Sequence, residues 1–86
     1  MKFQGKAFKN DKFWLADIPL LELMTQGRTK KELLLMIEDL FLTLADKEGF
    51  EVNVKCSKDG ILEIGSNDNK VMAGLLLERQ RPIGGA

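Results

Sequence analysis

The chain has 86 residues, of which 44% are hydrophobic and 30% charged; this fits one folded domain and argues against a disordered segment. Thirteen Lys and Arg residues balance thirteen Asp and Glu residues, so the molecule lacks the summed positive field that drives nonspecific binding to phosphate backbones. With no histidine and a single cysteine, an intrachain disulfide and a structural zinc site are excluded, and the commonest general acid–base group is missing.

The opening MKFQGKAFKN has lysines but no apolar core of the kind a signal peptide carries. The longest uninterrupted apolar run, Leu33–Ile37, is far shorter than the roughly 20 residues a membrane span needs. The expectation is a cytoplasmic protein without membrane contact or cofactor. A single domain over residues 1–81 is expected, followed by a Pro- and Gly-rich flexible tail over 82–86.

In chain order, Phe3 to Phe8 mixes apolar and polar positions, Asn10-Asp11 offers turn chemistry, and Phe13 to Ile18 is rich in aromatic and branched residues. The two segments predict a hairpin. Pro19 has no N–H to give to a ladder and ends the second strand. Leu21 to Thr25 alternates and predicts a third strand, with Gln26-Gly27-Arg28 as a connection.

Thr29-Lys30-Lys31-Glu32 is a capping box, in which Thr29 and Glu32 satisfy two free backbone donors. It predicts a helix from about Lys30 to about Lys47, with Gly49 placed to cap its end. At about 100° per residue, Leu33, Leu34, Met36, Ile37, Leu40, Phe41, Leu44 and Ala45 fall on one arc that should cover a sheet. Leu35 and Leu42 fall on the opposite side, among Glu38, Asp39 and Asp46.

Beyond the helix, Phe50 to Cys56 alternates, Asp59-Gly60 marks a turn, and Ile61 to Ile64 returns as a second hairpin. Several N-cap residues at Ser66 to Asn69 precede a short helix that ends before Pro82. The order β-β-β-α-β-β-α predicts an α+β class with a mainly antiparallel sheet and its helices on one face.

Candidate chemistry is sparse. Asp17, Glu22, Glu38 and Asp39 could gather metal for phosphodiester cleavage, but solvated surface charge explains them better. Cys56 lacks a histidine to activate it and sits in phase with Val52 and Val54, as a small buried apolar residue would. Thr25, Gly27, Arg28 and Thr29 precede a helix N-terminus, yet no phosphate-binding glycine pattern is present. Lys70, Arg79 and Arg81 make the last helix basic and are the candidate nucleic-acid contacts, although cations near a helix C-terminus are favourable for the dipole alone. Leu35 and Leu42 are the candidate contacts to a partner or to a second copy.

Two segments carry a family resemblance. Phe13-Trp14-Leu15-Ala16-Asp17-Ile18-Pro19 and Thr25-Gln26-Gly27-Arg28-Thr29, followed by the amphipathic helix, resemble HicB antitoxins over residues 1 to about 66. The family's D-L-P-G turn is replaced here by Leu20-Leu21-Glu22-Leu23. The resemblance implies a partial ribonuclease-H-like fold without nuclease activity, a tendency to form homo-oligomers, and binding to a HicA-type toxin. Such a toxin is a small mRNA-cleaving protein whose active site the antitoxin covers. Many relatives carry a C-terminal DNA-binding module; none is recognisable here, so nucleic acid is not expected as a partner of the chain alone. A residual metal-dependent nuclease and an interaction module without a toxin are the competing expectations.

Overall fold

The structure is a computed structural model that describes residues 2–79. Five strands form one antiparallel sheet in the order β3-β2-β1-β5-β4. β1 (Phe3–Asn10) and β2 (Phe13–Ile18) form the first hairpin, closed by Asp11 in the left-handed region. Short polar side chains tolerate that conformation better than most. β3 (Leu23–Gly27) pairs with β2, and β4 (Val52–Cys56) pairs with β5 (Ile61–Ser66), which closes on β1. The resulting pairings make β3 and β4 run in the same direction on opposite edges. Helix α1 (Lys30–Ala45) connects them, and helix α2 (Asn69–Arg79) follows β5.

The sheet is therefore entirely antiparallel. The expected third strand is shifted: Pro19–Leu21 forms a single 3₁₀ turn, which ends in Glu22 at φ 52°. Pro19 favours this because its fixed φ suits a first helical position and its missing N–H is not needed there. The strand then starts at Leu23 and takes in Gln26 and Gly27, two residues expected in a connection.

Half of the expected capping box is formed. Glu32 N–H donates to Thr29 Oγ1 at 3.0 Å, while the Glu32 carboxylate accepts from Arg28 N–H at 3.4 Å, one residue before the cap itself. The helix stops at Ala45 rather than about Lys47. Asp46 takes the left-handed conformation and donates its N–H to Leu42 O at 3.0 Å. Gly49, expected as the cap, lies in the following loop at φ 81°.

The core lies between the sheet and the helices. Phe3, Ala7, Ala16, Ile18, Leu62 and Ile64 face it from the strands. Leu33, Ile37 and Phe41 face it from α1, and Met72 and Leu75 from α2. Leu33, Ile37 and Phe41 are four residues apart, a spacing that aligns them along one stripe of a helix. Phe41 meets Phe3 with ring centroids 6.1 Å apart, within the range of favourable aromatic pairs.

This stripe is narrower than the arc read from the sequence. Met36 and Leu44, assigned to the sheet-facing side, are exposed. Met36 lies about 100° from Ile37 around the helix and looks past the sheet. Leu44 stands in the last turn beside Asp46. Cys56 keeps its phase with Val52 and Val54 but is half-buried, as they are.

Two glycines explain the close approach of elements. A Cβ on Gly27 would stand 2.7 Å from Leu33 N and 3.0 Å from Leu33 Cα, so its absence lets α1 start directly against β3. Gly60 sits at φ 82°, where a Cβ would press on Ala7 O, while its own carbonyl accepts from Ala7 N–H at 2.7 Å. The hairpin turn is thereby fastened to the centre of the sheet.

Candidate protein-interaction surface

Covering one side of the sheet with helices leaves two surfaces for a partner. The first is the outward face of α1. Leu35 is 57% exposed and Leu42 36% exposed. They are seven residues apart, two turns along one side of the helix. Half-buried Glu38 and exposed Asp39 and Asp46 stand around them, with Lys31 at the N-terminal end. Leucine and carboxylate thus alternate over about two turns, an apolar ridge inside an acidic margin. Both leucines assigned as contacts from sequence are on the surface.

The second surface is the uncovered face of the sheet. Pairing places Phe8 opposite Leu15 and Lys6 opposite both Asp17 and Ile61. Phe8, Met24 and Ile61 are exposed there, and a shallow groove runs between Gln4, Lys6, Asp17, Pro19 and Ile61. The sequence alone does not single out this face. Its signal was present as the other half of the strand alternation, but β1 turns the small residues Gly5 and Ala7 inward and Phe8 outward. Hydrophobicity alone would assign those directions the other way round.

The carboxylates considered for metal chemistry do not share a surface. Asp17 belongs to the uncovered face, because its neighbours Ala16 and Ile18 point into the core. Glu22 ends the 3₁₀ turn, and Glu38 and Asp39 belong to α1 on the other side of the sheet. Among the described residues no group of three or more Cys, Asp or Glu side chains is placed to hold a metal ion. The start of α1 is likewise occupied: the Thr29 hydroxyl already accepts Glu32 N–H, and Gly27 serves helix packing. Lys30 lies over the Trp14 ring at 5.7 Å from its centroid, a cation–π contact tying α1 to β2. Sequence separation of sixteen positions gave no sign of it.

Of the residues proposed to meet nucleic acid, Lys70 is exposed in the first turn of α2, with its N–H donated to Asp68 Oδ1 at 3.0 Å. Arg79 ends the helix, and Arg81 lies outside the described residues, as does the expected tail over 82–86. Asp68 caps α2 through Lys70 N–H and Val71 N–H and accepts from Lys47 Nζ at 3.0 Å. The Lys47 ammonium, with the Val71 N–H next in weight, holds the Asp68 carboxyl below its ordinary value.

No helix among the described residues is long and apolar enough to cross a membrane. Comparison with family models, curated proteins and solved structures finds no match.

Proposed function

We propose that this chain is a cytoplasmic toxin-neutralising protein that uses the outward face of α1 to cover a small RNA-cleaving protein of the HicA type. The observation that carries the reading is the Leu35–Leu42 ridge with Glu38, Asp39 and Asp46 around it. A protein that cleaves RNA must grip a polyanion, and that grip requires a positive surface. An apolar ridge edged with carboxylates matches such a surface in charge and gives it leucines to bury. Charges of this kind speed encounter, and the buried apolar centre holds the complex. Carboxylates laid on the toxin's basic surface take the place of RNA phosphates, so binding and inhibition are one event.

The resemblance of FWLADIP and TQGRT to HicB antitoxins supports the same reading. In this chain, however, Gly27 of the second segment serves the packing of α1 on β3 rather than a ligand. The reading makes the protein a binder and not an enzyme. The nuclease alternative would need two or more of Asp17, Glu22 and Asp39 to act together; Asp17 and Asp39 stand on opposite sides of the sheet, and among the described residues no group of three or more such side chains is placed to hold a metal ion.

The test is co-expression with any small protein encoded beside this chain. That neighbour should arrest growth and cleave mRNA alone, and the chain should restore growth and copurify with it. A neighbour without RNA-cleaving activity, or a toxic neighbour that the chain neither binds nor silences, overturns the reading.

A further inference from the structure

The two edges of the sheet are unequal. β4 carries Lys55 at its outer edge of the fold, and a charged residue is a common guard against edge pairing. β3 reads Leu-Met-Thr-Gln-Gly, with neither charge nor proline. It is the terminal strand of the sheet, and among the described residues none is seen to hydrogen-bond its outer side. Met24 is 64% exposed on this strand. Met36 of α1 joins Leu15, Met24, Thr25 and Gln26 in lining a groove along the same edge. An unguarded strand edge with methionines beside it is a template for another strand.

We propose that β3 pairs antiparallel with β3 of a second copy about a two-fold axis at Thr25, joining two five-stranded sheets into one of ten strands. Residues opposite each other in an antiparallel pair share a face, and a two-fold sets one residue opposite itself. With Thr25 at that position the whole of Leu23–Gly27 is used. Leu23 of one copy then faces Gly27 of the other on the helix side, and Met24 faces Gln26 on the open side. The residues that flank the strand decide the occupant. Glu22 falls opposite Arg28 of the second copy, and Arg28 opposite its Glu22, so each end of the joint carries an opposite-charge pair. Both residues are exposed. Centring on Met24 puts Glu22 opposite Gln26 instead and shortens the ladder. The chain's zero formal charge adds no repulsion between copies. Such a joint leaves Leu35 and Leu42 outside it, so it does not rest on the toxin-binding reading.

The test uses the chain alone, with mass measured by sedimentation equilibrium over a concentration series and fold checked by circular dichroism. The native chain should reach twice its 9.7 kDa mass. E22K and R28E should each raise the dimer dissociation constant about tenfold, because each places two like-charge pairs at the joint. The double variant E22K/R28E should return it to near the native value. If a swapped chain does not fold, M24K serves in its place; it puts a charge on the edge strand, leaves Glu22 and Arg28 intact, and should give a monomer. A native chain that stays monomeric, a dimer indifferent to the single swaps or to M24K, or a double swap that fails to restore association overturns the proposal.

Discussion

Gly27 and Leu33 touch backbone to backbone: the space for a Cβ on Gly27 ends 2.7 Å from Leu33 N. This contact sets the start of α1 on the edge of the sheet, and with it the direction in which Leu35 and Leu42 face. Gly27→Ala forces a backbone shift, since no flexible side chain can move aside. The variant should lose about 1–3 kcal/mol of stability, the usual cost of overpacking, as measured by urea unfolding. A variant as stable as the native chain would show that α1 is free to move on β3.

Phe41 should be the most costly single truncation. It is fully buried against Phe3 and belongs to the narrow stripe by which α1 holds the sheet. Phe41→Ala should cost about 3–5 kcal/mol, a large share of the margin of so small a domain. Leu44→Ala, in the same helix but exposed, should cost far less. Similar losses from the two would mean that the stripe is as wide as the sequence periodicity suggested.

The N-cap is a smaller, local contribution. Thr29→Ala removes the hydroxyl that accepts Glu32 N–H and should cost about 0.5–2 kcal/mol. Thr29→Asp restores an acceptor and adds a charge favoured at a helix N-terminus, so it should recover most of that loss. An alanine variant with native stability would place the capping elsewhere.

Asp68 gives the fold a dependence on acid. Its carboxyl titrates below its ordinary value because Lys47 and the first N–H groups of α2 favour the charged form. A carboxyl whose folded value is depressed adds stability that is complete above its unfolded value and lost as pH falls through its folded value. Native stability should therefore fall below about pH 4. Asp68→Asn should be less stable at neutral pH and should lose less on acidification, so that the two curves approach each other in acid. Parallel curves would assign the acid dependence to other carboxyls.

Much of the fold was legible because local chemistry agreed with global packing. Thr29 and Glu32 marked the start of α1, Asp59-Gly60 marked the second hairpin, and Leu33, Ile37 and Phe41 showed the period of a core helix. The sequence misled where a backbone constraint overrode alternation. Pro19 drew Leu21 into a 3₁₀ turn and moved β3 two residues onward. Asp46, rather than a glycine, took the left-handed position that ended α1. Of the candidate surface, Leu35 and Leu42 were legible because exposure follows from helix angle once the core side is known. The uncovered sheet face was not, because the mixed pattern of Phe3 to Phe8 does not say which residues face the helices until the direction of Gly5 and Ala7 is seen. The Lys30–Trp14 contact and the Glu22–Arg28 spacing about Thr25 required the strand order.

The most direct measurement of the central claim is the inhibition of RNA cleavage by the proposed HicA-type partner, titrated with three forms of this chain. The forms are native, Leu35→Asp with Leu42→Asp, and Ile61→Lys on the open sheet face. The leucine double variant should keep its circular dichroism spectrum, since both side chains are exposed, and should need at least about a hundredfold more protein to inhibit, as the loss of a central hot spot would require. Ile61→Lys should inhibit as the native chain does. Full inhibition by the leucine double variant, or a loss confined to Ile61→Lys, would contradict the account and move the toxin-covering surface off α1.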